Sequence, residues 1–504
     1  MASFNVKIAV KTDQKGPVLS PLIHGLAIEH VGSAVYGGIW IEKGTGLSKF
    51  QGLRTDVAEI LRRLDPGSLR WPGDHFAATY QWTDGIGPKS DRKRRPNLAW
   101  GGEESNAFGT DEFIALCGKL GAEPVITANV ETDSPLNLVH WVDYCNGSGQ
   151  TESALCRRTN GNPDPFDVRY WRLGSENIAP DLPWHADAYA QSYRKAAALI
   201  RRADPGAELI ACCPDDPEWI HAFLEAMSRH IGLIDHLALP AWIDSDAIGG
   251  GSCPENERDY YGLFSALPRL EKTILDTVAI LRKSGPHTKH IKIALDRWAV
   301  RHPEATAENG LHQPATLRDA LLAGCVLHLL HRFSKNVSMA NIAYGTGALQ
   351  TLLITRKAAV IHTPAYHVFN MLQPHLEARL LPVTISTPNI SIQQNNQVLS
   401  LPRIDVLATQ SASRDSLTVT LINLHLDKEA DLSLYIDAEA VLSSVSAMTL
   451  TSDSPDHENT IESPHRVEPK ESEIQHSENP VQILLPPCSL TRIQIDQNKK
   501  RVSI

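Results

Sequence analysis

From about residue 20 to 370, short apolar runs alternate with longer amphipathic segments. The runs are Leu69-Arg70-Trp71, Pro124 to Ala128, Tyr170 to Gly174, Leu209 to Cys212, His236 to Leu239 and Ile291 to Leu295. Runs of three to five residues bounded by polar punctuation predict buried strands. Between them, Thr55–Leu64, Thr110–Leu120, Ala186–Arg202, Trp219–Arg229 and Ala315–Arg332 carry helical periodicity. Strand–helix alternation over this length predicts an α/β fold, a (β/α)8 TIM barrel, over residues 18–375. After about residue 375 the period falls to two in Val383 to Ser386, Ser416 to Ile422, Leu432 to Ile436 and Ser489 to Ile495. That pattern predicts an antiparallel β-sandwich over residues 376–504. Phe4 to Val10 alternates in the same way and predicts an N-terminal strand within residues 1–17. Ser452–Pro480, rich in Ser, Glu, His and Pro, reads by composition alone as a disordered linker.

Composition narrows the class. The 504 residues are 42% hydrophobic and 21% charged, which excludes a fibrous, disordered or membrane protein and gives room for more than one domain. A formal charge of −10 argues against nucleic acid and anionic membrane as partners. One basic run, Lys89-Ser90-Asp91-Arg92-Lys93-Arg94-Arg95, could serve as a nuclear signal, but a solvated loop is the better reading. The N-terminus lacks the apolar stretch of a secretory signal, and eight scattered cysteines lack C-x-x-C spacing. Reduced core cysteines in an intracellular, cytoplasmic protein follow, with no zinc site. No nucleotide, metal or thiol motif is present, so no cofactor is expected.

In a barrel the side chains at the C-terminal ends of the strands line the active site. Polar residues directly after the apolar runs are therefore the candidates: Glu29 and His30, Arg70 with Asp74 and His75, Asn129 and Glu131, Ser175-Glu176-Asn177, Trp242 with Asp244, and Asp296-Arg297-Trp298. Glu176 is the leading candidate for a general acid/base, with a structural ion pair as its other reading. Arg70 and Trp71 either position a ligand, by forked hydrogen bonds and a stacking face, or close the barrel floor.

Nearly the whole chain resembles the family 51 glycoside hydrolases, the α-L-arabinofuranosidases. The resemblance is carried by Ile28-Glu29-His30, Val35 to Ile39, Leu69-Arg70-Trp71-Pro72-Gly73, Trp82 to Pro88, Leu98-Ala99-Trp100-Gly101, Asn106 to Phe113, Trp141 to Gly147, Met339-Ala340-Asn341 and Thr363-Pro364-Ala365-Tyr366. Glu458-Asn459-Thr460 through Val467 to Lys470 also resembles the family's C-terminal pattern, which argues against a disordered linker. The resemblance implies a catalytic barrel plus a sandwich that the N-terminal strand joins. It also implies retaining hydrolysis by an acid/base glutamate, which Glu176 matches, and by a nucleophile in an Asp-Glu-Trp motif. Glu29, Arg70 and Asn129 match or adjoin the family's substrate contacts. Family enzymes are often homo-oligomers, and nothing in this sequence decides the assembly.

The departures are concentrated at the sugar pocket. The nucleophile's place in Asp296-Arg297-Trp298 holds an arginine, Ser175 stands where the family has an asparagine, Asp74 and His75 replace Gly and Asn, and Pro240 and Trp242 replace a His-and-Tyr element. Asp296 should face away from the interior if Arg297 faces in, because side chains alternate along a strand; only a local bulge would change that. A guanidinium beside Glu176 would favour its carboxylate and weaken it as a proton donor. Loss of retaining hydrolysis is therefore expected. Three functions remain open: a repurposed, cofactor-free enzyme acting on a small molecule by cyclisation, isomerisation, dehydration or a pericyclic step; a glycosidase working by a non-standard route; and a non-catalytic pseudoenzyme. In the first, Glu176, Arg297 and His75 carry the chemistry, and Trp71, Trp242 and Trp298 wall a flat or hydrophobic substrate.

Overall fold

The structure is a computed structural model that describes residues 3–14, 16–41, 49–50, 52–175, 177–179, 182–245, 251–254, 256–394, 397–437, 441–474 and 479–498. Strand β1 (Ser3–Lys11) precedes eight parallel strands, β2 (Gly25–Ala27), β3 (Ser68–Trp71), β4 (Glu123–Ala128), β5 (Tyr170–Leu173), β6 (Glu208–Cys212), β7 (His236–Asp244), β8 (Lys292–Arg301) and β9 (Val337–Ala343). β9 pairs in parallel with β2 (Asn341 opposite Gly25), which closes the barrel. Most crossovers are helices whose polar faces meet solvent. The helix Thr110–Leu120 starts where expected, and Leu317–Arg332 begins at Thr316 with a reciprocal cap from Asp319. Leu317–Arg332 is buried along almost its whole length, because it packs on the barrel on one side and on the C-terminal sheets on the other.

The C-terminal region forms two sheets. β10 (Arg379–Leu380), β12 (Ile404–Gln410), β13 (Ser416–Asn423), β18 (Ser489–Asn498), β15 (Val441–Leu450) and β16 (Pro469–Glu473) lie in that order in one. The other runs β11 (Val383–Ser386), β1, β14 (Glu429–Asp437), β17 (Val481–Leu485). β1 pairs in parallel with β14, Val6 opposite Leu432, so the first strand of the chain completes the last domain. Inward residues of both sheets, among them Val6, Ile8, Leu432, Leu434, Val419, Leu421 and Ile493, share one apolar core. Residues 452–474 are built into the fold, with Asn459 and Val467 buried and joined by two hydrogen bonds. The composition of that stretch pointed to disorder; its few buried anchors decide otherwise.

The basic run is a neutralised loop. Lys89 and Arg92 both reach Glu112, Arg94 reaches Glu103, and Arg95 and Lys93 reach Asp84. All eight cysteines are free thiols. Among the described residues no helix is long and apolar enough to cross a membrane.

Strand alternation sorts the tryptophans. On β3, Arg70 faces the interior, so Trp71 faces out, fully buried against Phe113 and Trp141, with its indole N–H donated to His30 Nε2 at 2.9 Å. Trp298 likewise packs outward on Phe369, ring centroids 6.2 Å apart. Neither lines the barrel mouth, which corrects the reading of both as ligand-contacting walls. Trp71→Ala and Trp298→Ala should each lower the free energy of unfolding by about 3–5 kcal/mol, measured by denaturant titration, as truncation of a fully buried indole does. If either variant kept wild-type stability, the indole would not be a core residue.

Candidate active site

The geometry of the mouth is set by an irregularity in β8. Up to Leu295 its side chains alternate regularly, and Ala294 joins Val125, Tyr170, Ile210, Ala238 and Met339 in the barrel interior. Against β7 the register then moves from Ala238 opposite Ala294 to Pro240 opposite Arg297. Against β9 it moves from Leu295 opposite Ala340 to Trp298 opposite Ile342. Three steps along β8 face two on each neighbour, which is a β-bulge. It turns both Asp296 and Arg297 inward, so the expectation that Asp296 faces away is overturned.

The two side chains complete a buried ion lattice of alternating sign. Arg70 Nε lies 3.1 Å from Asp296 Oδ1, and the other oxygen of Asp296 contacts Arg172 Nε. Arg172 Nη1 lies 2.7 Å from Asp74 Oδ1, and Asp74 Oδ2 meets Arg297 Nη1. Arg70 and Arg172 also each donate to a backbone carbonyl just beyond their own strands, Gly73 at 2.6 Å and Gly174 at 2.7 Å. The Arg297 guanidinium rests on the Trp242 indole, 4.5 Å from the ring centroid. All five charged side chains are buried. Burial alone would raise the Asp74 carboxyl, but Arg297 and Arg172, helped by His75 and Arg70, outweigh it and hold Asp74 well below the usual carboxylate range.

The rim is built around two glutamates. Glu29 accepts from Phe76 N at 2.9 Å, Trp100 Nε1 at 3.0 Å and Tyr344 Oη at 2.6 Å. Gly73 is required beside it: its φ is +132°, and a Cβ there would lie 2.2 Å from Glu29 Cγ. Glu131 accepts from Ser175 N at 2.6 Å and Ser175 Oγ at 3.0 Å, which ties the loop after β4 to the loop after β5. Burial raises the Glu131 carboxyl against the pull of those hydrogen bonds. Asn129 is occupied in folding its own loop, accepting from Glu131 N and Thr132 N and donating to Thr132 Oγ1, so both ends of its amide are committed away from a ligand. His75 and Trp242 stay partly exposed, His75 with its ring 5.7 Å from Trp100.

Of the residues expected from the sequence, Arg70, Asp74, Trp242, Asp296 and Arg297 meet in the lattice, and Glu29, His75 and Ser175 lie on the rim. Glu176 lies outside the described residues. Sequence reasoning missed Arg172, Tyr344 and Trp100, and noted Glu131 only as a polar residue after a strand. A signal for Arg172 existed: a charge inside the apolar run Tyr170 to Leu173, two residues from Tyr170, takes the inward face with it. Among the described residues no group of three or more His, Cys, Asp or Glu is arranged to hold a metal ion. Chemically, the mouth offers fixed cations stabilised by fixed anions, one partly exposed imidazole, and two partly exposed indoles.

Residues 60–237 match the α-L-arabinofuranosidase 1 domain and residues 296–489 match the α-L-arabinofuranosidase C-terminal domain. The chain is similar to the intracellular exo-α-L-arabinofuranosidase of Bacteroides ovatus, 30% identical over 502 residues that cover 98% of this chain and 96% of that one. It is 31% identical to α-L-arabinofuranosidase C of Emericella nidulans over 89% of this chain and 90% of that one. Among solved structures, the family 51 arabinofuranosidase of Xanthomonas axonopodis pv. citri superposes with a TM-score of 0.90 at 27% identity, covering 98% of this chain and all of the other. The arabinose complex of the Thermotoga maritima α-L-arabinofuranosidase superposes with a TM-score of 0.88 at 30% identity, covering 98% and 100% of the two chains.

Arg297→Glu should be strongly destabilising, because it sets a carboxylate against Asp74 in a buried site. A loss of about 3–5 kcal/mol is expected, of which Arg297→Glu/Asp74→Asn recovers a large part by removing the facing charge. Denaturant midpoints of the two variants at unchanged slope check this. Equal stability of both would mean that Asp74 and Arg297 are not coupled.

Proposed function

Because this chain belongs to family 51 of the glycoside hydrolases, the α-L-arabinofuranosidases, we propose that it uses the family's barrel without the family's retaining hydrolysis, as a cofactor-free enzyme acting on a small organic molecule. The observation that carries this reading is Arg297, paired with Asp74 on the face of Trp242, in the Asp-x-Trp position where the resemblance implies the nucleophile.

Retaining hydrolysis needs a carboxylate nucleophile about 5–5.5 Å from a carboxylic acid. A guanidinium is protonated at every working pH and cannot attack an anomeric carbon. Asp296 does not inherit the role: although the bulge turns it inward, Arg70 and Arg172 clamp its two oxygens. What the mouth retains suits a proton-transfer reaction. A guanidinium in a dry pocket stabilises negative charge developing on a substrate oxygen. His75, the partly exposed imidazole, offers a ring nitrogen that can take up or hand on a proton. Glu176, matched to the family's acid/base residue, supplies the second proton-handling group. Isomerisation, dehydration or cyclisation of a molecule with a flat or hydrophobic face against Trp242 and Trp100 fits this set. An intracellular setting is part of the proposal, supported by eight free thiols and by the intracellular Bacteroides relative.

An aryl α-L-arabinofuranoside assayed at high protein concentration tests the reading. Wild type should release no phenol above background, at least about 10⁴-fold below a family 51 enzyme run beside it, as loss of a catalytic nucleophile produces. Arg297→Glu alone should not restore activity, because Asp74 and His75 still occupy the pocket. Arg297→Glu/Asp74→Gly/His75→Asn, which restores the family's residues at three of the departed positions, is the variant expected to gain it. Turnover by wild type that disappears in Glu176→Gln would overturn the proposal in favour of a glycosidase with a non-standard route. Screening small hydrophobic carbonyl compounds then separates an enzyme from a pseudoenzyme, since only the first gives turnover that Arg297→Met and His75→Ala abolish.

A further inference from the structure

Four histidines with no part in the mouth meet where the barrel floor, the helix Leu317–Arg332 and the six-stranded sheet join. His24 ends the 3-10 turn Pro21–His24 that leads into β2, and His375 ends the turn Gln373–His375. His328 and His331 lie one turn apart on the helix. Every ring is at most 1% exposed. His24 Nε2 faces His331 Nε2 at 3.1 Å. His328 Nε2 and His375 Nε2 converge on Thr420 Oγ1 of β13 at 2.7 and 2.9 Å, and His375 Nδ1 meets Thr409 Oγ1 of β12 at 2.8 Å.

Hydrogen counting limits the charge this cluster can carry while it is closed. Two ring nitrogens 3.1 Å apart share a single hydrogen, so the His24–His331 pair closes only while at least one of the facing nitrogens carries a lone pair. Thr420 has one hydrogen to give, so at least one of its two imidazole partners must donate to it. The other charged and titratable groups facing the cluster are few. Asp405, on β12, lies 3.4 Å from His328 Nδ1 but is already paired with Arg332 at 2.7 Å. Arg332 also faces His331, with Glu271 beyond it; Arg492 faces His375, and the Cys325 thiol faces Asp405. Four imidazoles thus face one carboxylate, two guanidiniums and one another. Burial lowers His24 to about 3, holds His331 and His375 well below the ordinary range with help from the neighbouring rings, and lowers His328 against the pull of Asp405.

We propose that this cluster is an acid-released latch between the barrel and the C-terminal sheets, closed while the rings are neutral and opened by proton uptake. The sign follows from linkage: a histidine held below its ordinary value takes up its proton on opening. The contribution is therefore complete above the ordinary value of 6.5 and is lost as pH falls towards the closed-state values. Each histidine that protonates on opening raises the opening constant by about ten-fold per pH unit. The same helix also touches the mouth side of the barrel at its other end. Asp319 in its first turn is 3.0 Å from His302 Nε2, immediately beyond the strand that bears the bulge.

Hydrogen–deuterium exchange of the full chain between pH 7.5 and 4.5, corrected for intrinsic rates, tests the latch. Peptides from Ile404–Asn423 and Leu317–Arg332 should lose protection before those of β4, with an opening constant that rises more than ten-fold per pH unit. In His24→Gln/His331→Gln, whose amides keep one hydrogen bond without a titratable ring, the rise should fall by up to about 100-fold per pH unit. A wild-type dependence below ten-fold per unit overturns the proposal, whether or not that variant folds. So does simultaneous loss of protection in the barrel and at the interface, or an unchanged slope in the variant.

Discussion

A single extra residue in β8 fixes what this barrel can do. Where a regular strand would present Asp296 and Arg297 to opposite faces, the bulge turns both into the mouth. Two opposite charges on consecutive residues cannot be buried together without partners on neighbouring strands. Arg70, Arg172 and Asp74 are those partners, brought from β3, β5 and the turn after β3, and their contacts with the Gly73 and Gly174 carbonyls fix the ends of the strands that carry them. The rim is in turn positioned by these strand ends, because Gly73 lies against Glu29 and Gly174 precedes the Ser175 that Glu131 holds.

Much of the fold was legible. Period-two and period-3.6 patterns located the strands and helices of the barrel and the strands of the C-terminal sheets, because burial on one face imposes those periods directly. What stayed hidden depended on interactions between strands. Register shifts leave no mark on a single strand's hydrophobic pattern, so the inward turn of Asp296 could be stated only as an exception. Trp71 shows the opposite failure. Once Arg70 is assigned inward, alternation already sends Trp71 outward, yet a tryptophan beside an arginine attracts a ligand-binding reading. Arg172 was passed over because its neighbours Tyr170, Trp171 and Leu173 make the segment read as an apolar strand, although a barrel interior accepts a charge wherever another strand supplies its counter-ion.

The charged residues at the mouth form a set that electrostatics couples. An arginine at position 297 without an acid at position 74 would lack that counter-ion in a water-poor site. Asp74 without Arg297 would rely on Arg172, which also serves Asp296. Trp242 supplies the flat face on which the guanidinium is oriented. Residues far apart in sequence are thus complementary in charge and shape, each holding the next in place.

The energetic character of the lattice bears on whether the mouth is a working site. Removing five charged side chains from water is expensive, and well-packed apolar residues of similar volume commonly match or exceed the stability that such ion pairs return. A barrel needing only a sealed mouth is served as well by aliphatic side chains, which already fill the layer below around Val125, Ile210 and Met339. The lattice provides what an apolar plug does not: oriented cations at low dielectric, held in place before any substrate arrives, beside an imidazole and indole faces that remain partly open. Preorganised charge of this kind is what stabilises a charged transition state without solvent reorganisation. That balance is the physical support for the proposed chemistry at the mouth over a scaffold retained for its shape alone.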